Sequence, residues 1–156
     1  MEASGKKLKL CLGLLAMNIL FIWGNSSLPG EISGEISDFV KDILAWLFGG
    51  SAGSSGSGGL IRKLAHFTEF TTLGMCLRWL FGMLREKPAE YRLYPLLSGL
   101  LVACVDETIQ IFVPLRGPGI RDVILDTAGV LFGIFIISMV YYLRKRSMIH
   151  PEECES

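Results

Sequence analysis

Polar and ionisable residues recur at helical spacing within three otherwise apolar stretches of this sequence. In the first stretch, Lys63, His66 and Glu69 are three residues apart, which places them along one broad helical face. In the second stretch, Asp106 and Gln110 are four apart and share a face. A carboxylate beside an imidazole can move protons, and a cationic side chain can hold an anion. The spacing therefore predicts a polar site to which more than one helix contributes.

The third stretch carries two further acids, Asp122 and Asp126, which are also four residues apart. Gly129 and Gly133 continue the same stripe, and their spacing is more typical of a close helix contact than of a ligand site. Asp122 could join the polar site or cap the helix that begins there, where the helix dipole favours a negative charge. In the second case Asp126 is the acid that points inward.

The composition indicates a membrane protein rather than a soluble domain. The chain has 156 residues, of which 51% are hydrophobic and 19% are charged, and its mean hydropathy is +0.47. A soluble domain usually carries about 25% charged residues. The formal net charge is zero, so no basic excess indicates a nucleic-acid partner. The four cysteines lack metal-binding spacing and are expected to act as small apolar residues.

Four apolar segments are long enough, or nearly so, to cross a membrane, since about 20 such residues span roughly 30 Å of hydrocarbon. They are residues 8–23, 60–84, 93–113 and 123–143. Within lipid the backbone must satisfy its own hydrogen bonds, which favours helices. We predict an all-α, polytopic membrane helical bundle with four transmembrane helices. The first segment follows Lys6, Lys7 and Lys9 and also resembles a signal peptide, although the residues after Trp23 form a poor cleavage site.

Basic residues flank these segments mainly on one side. Under the positive-inside rule, the side that carries three basic clusters faces the cytoplasm. These clusters are Lys6, Lys7 and Lys9; Arg85, Lys87 and Arg92; and Arg144, Lys145 and Arg146. The chain is therefore predicted to be a multi-pass membrane protein with both termini in the cytoplasm. The polar positions described above then fall at the outer ends of their helices.

The long outer loop contains an amphipathic segment and a flexible linker. Over residues 32–48, apolar residues recur at helical spacing on one face, with polar and charged residues opposite. This pattern predicts an outer amphipathic helix, which either lies on the membrane surface or packs on the bundle. Residues 49–59 are all Gly, Ser or Ala, a composition typical of a flexible linker.

Charged groups within a membrane are expected to face the bundle interior and to pair with one another. An Asp, Lys or Arg at a helix centre costs about 2.5–3.5 kcal/mol on insertion scales. Opposite charges are available, because Arg62, Lys63, Arg116 and Arg121 can face the acids. The candidate acid–base residues are His66, Glu69, Asp106, Glu107 and Asp126. The candidate ligand-binding residues are Lys63, Gln110, Arg116 and Asp122.

Two residues fit the predicted site less simply. Glu107 points about 100° away from the face of Asp106, given the helical repeat. Arg78 lies deeper in its segment, where it could extend to the interface or hold a lipid headgroup. Apart from Arg78, the polar groups are expected to cluster at a single end of the bundle.

The sequence favours neither a metal site nor a cofactor. His66, Glu69 and the aspartates resemble the carboxylate sites of helix bundles, yet only one histidine lies in the spans. Four basic residues also compete for the same carboxylates. No nucleophile elbow, phosphate loop or H-E-x-x-H motif is present. Acid–base hydrolysis and recognition of an anionic headgroup both stay open, so the sequence does not decide whether the chain is an enzyme.

Several stretches resemble the VanZ-like family of bacterial membrane proteins. They read Arg-Lys-Leu-Ala-His-Phe-Thr-Glu-Phe at 62–70, Asp-Glu-Thr-Ile-Gln at 106–110, Phe-Val-Pro at 112–114 with Arg116, and Asp-Val-Ile-Leu-Asp-Thr-Ala-Gly at 122–129. Their order and spacing match together over roughly residues 60–133. The resemblance implies a VanZ-like three-helix core over residues 60–146. Residues 1–59 then hold the first transmembrane helix, the outer amphipathic helix and the linker, and residues 147–156 form a cytoplasmic tail.

The resemblance also implies a link to antibiotic resistance, especially toward teicoplanin-type lipoglycopeptides. We therefore expect an outward-facing polar site that binds or processes an envelope lipid, a cell-wall precursor or a lipoglycopeptide, with the lipid membrane as a constant partner. One alternative is a membrane transporter or proton-relay protein, which needs polar groups in the inner half of the bundle as well. Another is a structural protein that clusters other membrane proteins.

Overall fold

The computed structural model describes residues 2–48, 58–84, 93–117 and 119–149, and these residues form five α-helices and no strand. In chain order the helices are α1 (Glu2–Ser26), α2 (Gly30–Phe48), α3 (Gly58–Met83), α4 (Tyr94–Ile111) and α5 (Ile120–Ile149). The predicted all-α fold is confirmed, and the amphipathic segment forms α2. Most of the predicted linker, the basic cluster at 85–92 and the tail from residue 150 lie outside the described residues.

Within the described residues, three helices are long and apolar enough to cross a membrane. The qualifying stretches are Gly5–Ser26, Tyr94–Ile111 and Ile120–Ser147. They correspond to the first, third and fourth predicted spans. The predicted count of four transmembrane helices is therefore corrected to three, because α3 does not qualify by length and composition. The physical reason is its charge, since Arg62, Lys63, Glu69 and Arg78 all lie within its 26 residues.

Helix α3 nevertheless lies at the centre of the bundle, where it contacts each of the other four helices. Its side chains Phe70, Leu73 and Leu77 are buried, and they form the core together with Ile22 of α1 and Val130 of α5. The charged residues of α3 are thus carried on a helix that packs against all the others.

Glycines allow α3 and α5 to approach each other closely. A Cβ atom on Gly133 would overlap the backbone oxygen of Thr71, and one on Gly74 would overlap that of Val130. Gly129 lies against the backbone of α3 in the same way. The stripe formed by Gly129 and Gly133 is therefore a helix contact, as its spacing indicated.

Helix α2 packs on α3 and leaves its large apolar side chains exposed. Ser33 and Ser37 are buried, whereas Phe39 is 66% and Trp46 82% exposed. Of the two predicted alternatives, the helix does pack on the bundle. It still presents an apolar surface away from the bundle.

The loop between α4 and α5 lies against the turn between α1 and α2. The backbone amide of Gly30 donates a hydrogen bond to the carbonyl of Pro114 at 3.1 Å. A Cβ atom on Gly30 would overlap the backbone of Leu115, which itself has a φ of 57°, in the left-handed region. This contact joins the two loops at the end of the bundle where the predicted polar residues lie.

Candidate functional site

The predicted polar residues come together at one end of the bundle, beside the C-terminal end of α1. His66 and Glu69 come from the N-terminal half of α3, Asp106 and Gln110 from the last turns of α4, and Asp126 from the second turn of α5. Asn25 and Ser26 of α1 join them through hydrogen bonds. We call these seven residues the polar cluster.

Asp106 is fully buried and held by a small hydrogen-bond network. Its Oδ2 accepts hydrogen bonds from Ser26 Oγ at 2.8 Å and from Gln110 Nε2 at 3.0 Å. Gln110 also donates to Ser26 Oγ at 3.2 Å, which closes the network. The other oxygen, Oδ1, has no hydrogen-bond partner. The network therefore orients Asp106 and leaves one oxygen available for a further group.

His66 lies between two buried aspartates. Its Nδ1 is 3.9 Å from Asp106 Oδ2 and 3.9 Å from Asp126 Oδ1. Asp126 is 1% exposed, and neither of its carboxylate oxygens has a hydrogen-bond partner among the residues that the structure describes. Phe70 stacks on the imidazole with the ring centroids 6.5 Å apart. An imidazole between two buried carboxyl groups can move protons or bind a cation.

Glu69 connects α3 to α1. Its Oε1 accepts a hydrogen bond from Asn25 Nδ2 at 2.9 Å, and its Oε2 has no partner. The acids were predicted to pair with basic residues. In the described part of the chain, however, the hydrogen bonds to Glu69 and Asp106 come from neutral side chains. The acids of the cluster are thus oriented by Asn25, Ser26 and Gln110.

Arg116 joins the loop before α5 to the turn after α1. Its Nε donates to the carbonyl of Leu28 at 3.2 Å and its Nη2 to that of Asn25 at 2.8 Å, whereas Nη1 has no partner. Burial lowers the pKa of the Arg116 guanidinium and the charge of Arg62 acts in the same direction, while nearby acids oppose the shift. Arginine stays protonated in proteins. Arg116 therefore brings a lasting positive charge close to the polar cluster.

Glu107 and Asp122 stand apart from the polar cluster. Glu107 accepts a hydrogen bond from the backbone amide of Gly119, in agreement with the direction given by its helical phase. Asp122 is the third residue of α5, which begins at Ile120, so the interpretation of Asp122 as the capping residue is wrong. Its charge still lies in the first turn, where the helix dipole favours an anion.

A small cavity lies beside the polar cluster. It is lined by Arg62, Lys63, His66, Gln110, Asp122, Leu125 and Asp126. Lys63 is exposed and Arg62 half-buried, whereas His66 and Asp126 are buried. Cationic groups therefore lie at the rim and the imidazole and carboxylate lie deeper. The predicted ligand-binding residues Lys63, Gln110 and Asp122 share this cavity, and Arg116 does not line it.

A comparison with protein families places the chain among known proteins. The family model described as VanZ/LLP1 matches residues 11–141, which is most of the chain. The chain belongs to the VanZ/LLP1 family. The match confirms the resemblance expected from the motifs, and it extends the VanZ/LLP1 region back into α1. Comparisons with curated proteins and with solved structures gave no match.

Membership of the VanZ/LLP1 family and three helices of membrane-crossing length together support a membrane protein.

Asn25 and Ser26 belong to the polar cluster but were not among the residues predicted to form it. The sequence could have indicated them, because both follow the first apolar segment at its predicted outer end. The other polar residues are predicted to lie at that same end of the bundle. Small polar side chains at that end are natural partners for buried acids on neighbouring helices.

Arg78 lies toward the opposite end of the VanZ/LLP1 bundle and is bound by α5. Its Nε donates to Ser138 Oγ at 3.0 Å, and its guanidinium carbon is 5.2 Å from the centroid of the Tyr141 ring. These contacts give Arg78 a structural role between α3 and α5. The transporter or proton-relay alternative needs polar groups in the inner half of the bundle. Arg78 was the one such residue that the sequence offered, and it is held by Ser138 and Tyr141.

Proposed function

We propose that this chain is an integral membrane protein with an outward-facing site for an envelope lipid, a cell-wall precursor or a teicoplanin-type lipoglycopeptide. One observation carries the proposal, namely a cavity whose rim holds Arg62 and Lys63 and whose deeper wall holds His66 and the buried Asp126. The three proposed ligands share an anionic head joined to an apolar tail. The cationic rim of the cavity would bind the head, and the surface beside it the tail.

The rim of the cavity suits an anionic group such as phosphate or carboxylate. Guanidinium and ammonium groups form charge-assisted hydrogen bonds to such anions, and Arg62 and Lys63 are both available there. Arg116 adds a positive charge nearby and keeps its Nη1 unpartnered. The head of the ligand would thus be drawn to this end of the bundle by charge.

The neighbouring surface suits an apolar tail. Helix α2 begins at the same end of the bundle and exposes Phe39, Trp46 and Leu47. Exposed apolar patches mark contacts with lipids or partners, and tryptophan is enriched where a membrane meets water. A tail entering from the outer leaflet can therefore lie along α2 while the head lies against Arg62 and Lys63 at the rim of the cavity.

The deeper wall supports processing of the ligand as well as binding. His66 between Asp106 and Asp126 is a suitable donor or acceptor of protons for hydrolysis, provided that the reacting bond reaches within hydrogen-bond distance. Binding and hydrolysis would use the same residues, so a single set of variants tests both.

The test is protection of a teicoplanin-susceptible bacterium that expresses the chain. Wild type should raise the inhibitory concentration of teicoplanin and reduce the binding of a fluorescent lipoglycopeptide to cells. Lys63→Gln removes a charge from the rim and Asp126→Asn one from the deeper wall, so both should abolish protection. The matched controls Lys7→Gln and Asp38→Asn alter exposed residues away from the cavity and should protect like wild type.

The amount of each variant in the membrane is measured by immunoblotting. Full protection by Lys63→Gln and Asp126→Asn at wild-type levels would contradict the proposed site. If wild type gives no protection, native mass spectrometry of the purified protein separates the ligand classes. Retention of a lipid-linked cell-wall precursor or anionic phospholipid, lost in Lys63→Gln, would support an envelope lipid and not an antibiotic.

A further inference from the structure

We infer that His66, Asp106 and Asp126 form a binding site for one divalent transition-metal cation such as Zn²⁺ or Mn²⁺. This inference revises the expectation of no metal, which relied on the single histidine in the spans and on competition from basic residues for the carboxylates. The hydrogen bonds that Asp106 accepts come from Ser26 and Gln110, and Asp126 accepts none. The expected competition is therefore not seen at these two acids.

The three side chains converge closely enough to share an ion. One potential ligand atom from each residue lies within 4.8 Å of the other two, and His66 Nδ1 is 3.9 Å from an oxygen of each aspartate. Bonds of about 2.0–2.2 Å place two ligands of the same ion at most roughly 4.4 Å apart. Small side-chain rotations are therefore sufficient to give three bonds to one ion.

The two aspartates carry buried oxygens that no group in the described chain satisfies. Asp126 is 1% exposed and lacks a partner for both oxygens, and Asp106 is fully buried and lacks one for Oδ1. Burying a carboxylate without a partner is costly, and buried charges in proteins are paired or bind metals. These oxygens therefore indicate a partner that is positively charged.

The charge and chemistry of the three ligands match a divalent transition metal. Two carboxylates and a neutral imidazole carry two negative charges in total, which a divalent cation cancels. Imidazole suits zinc, copper, iron and nickel, while carboxylates also suit manganese. Ser26 and Gln110 hold Asp106 by hydrogen bonds, as the residues behind metal ligands usually do.

The surroundings give such an ion access to a ligand. His66 and Asp126 line the cavity that Arg62 and Lys63 also line. Three protein ligands leave at least one further position for water or for an oxygen of another molecule. The metal site is inferred from the protein's own side chains and does not depend on the lipid or antibiotic of the proposed function. Experiments can therefore contradict the metal site without contradicting the proposed function, and the reverse.

The full-length protein in lipid nanodiscs, freed of metal with a chelator, is titrated with Zn²⁺ and with Mn²⁺ by calorimetry. Elemental mass spectrometry counts the bound ions. We expect one ion per chain and a Tm that rises with metal concentration, because binding to the folded state stabilises it. His66→Ala and the near-isosteric Asp126→Asn should lose both effects. Gln110→Ala should weaken the affinity about 10- to 100-fold, as loss of a residue behind a ligand does.

Two control variants remove similar groups elsewhere in the chain. His150→Ala removes the other histidine and Asp38→Asn an exposed carboxylate, and both should keep one ion per chain. Circular dichroism and the metal-free Tm establish that each variant folds. No uptake by wild type would overturn the inference and favour protonated aspartates. Equal uptake by wild type, His66→Ala and Asp126→Asn would overturn it too, because the ions would then bind elsewhere.

Discussion

Asp106 illustrates how the polar cluster is built from single side chains. One of its oxygens is bound by Ser26 and Gln110 while the other has no partner, although the residue is fully buried. Neutral donors thus orient the acid without cancelling its charge. Such an acid stays available to a proton, a cation or a ligand.

Loss of Ser26 should be costly because Asp106 would lose a donor inside the bundle. We expect Ser26→Ala to lower the free energy of unfolding by about 1–3 kcal/mol, the range for a buried polar group left without its partner. The neighbouring hydroxyl of Ser27 is exposed and donates only to the carbonyl of Trp23, so Ser27→Ala should stay within about 0.5 kcal/mol of wild type. Denaturant unfolding in detergent micelles measures both, and equal effects would contradict the network.

At this scale the sequence predicted much of the site. Helical spacing predicted the polar face of each helix, and the alternating direction of the predicted spans placed His66 and Asp126 at the same end of the bundle. Asn25 and Ser26 could not be derived in the same way. Their partners lie on other helices far along the chain, so no local pattern relates them.

At the scale of helices, α3 and α5 form the closest contact that the glycines describe. Gly74 on one helix and Gly129 and Gly133 on the other each lie where a Cβ atom would meet the opposing backbone. Close backbone approach is the usual basis of association between helices in membranes. The same contact positions His66 of α3 opposite Asp126 of α5.

A single methyl group should be enough to push α3 and α5 apart. Gly133→Ala is expected to destabilise the bundle by about 1–3 kcal/mol, because the added carbon has no room and the backbone must move. Gly13→Ala in α1 is the matched control, since a Cβ there meets nothing within 4 Å. It should be neutral or stabilise by up to about 1 kcal/mol through helix propensity. Thermal unfolding in detergent distinguishes them, and similar Tm values would argue against a tight α3–α5 contact.

Hydropathy predicted the helices α1, α3, α4 and α5, but it did not predict that α3 falls short of a membrane-crossing composition. Its charged residues lower its average hydropathy, and the sequence does not show that α3 contacts every other helix. Amphipathic spacing likewise predicted α2 without showing which neighbour it packs against. Packing partners depend on contacts between segments that are distant in the chain, which periodicity does not contain.

At the scale of the whole molecule, the two described ends of the chain lie toward the same end of the bundle. The polar cluster contains the C-terminal end of α1 and the N-terminal part of α5. The start of α1 and the end of α5 therefore both lie at the opposite end of the bundle. The basic residues Lys6, Lys7, Arg144 and Lys145 gather at that end.

From the positive-inside rule we predict that this basic end faces the cytoplasm. Both ends can share that side because α3 also runs along the bundle, although its charges keep it from qualifying as a membrane-crossing helix. In a cysteine-free version of the protein, Asp38→Cys on α2 should react with a membrane-impermeant maleimide in intact cells. Lys7→Cys and Lys145→Cys should react only after the cells are made permeable. Labelling of Lys7→Cys or Lys145→Cys in intact cells would show that the basic end faces outward, and it would contradict an outward-facing site.

The hydrogen bond from Ser26 to Asp106 also imposes an order on biosynthesis, because its two residues are 80 positions apart. A ribosome makes α1 first, and α4 reaches the membrane only after α2 and α3 have been made. Throughout that interval Ser26 lacks the acid that it finally binds, whereas Asn25 already has its partner Glu69 on α3. A nascent chain halted before α4 therefore has a Ser26 hydroxyl without its final partner, and α4 completes the network only when it packs against α1.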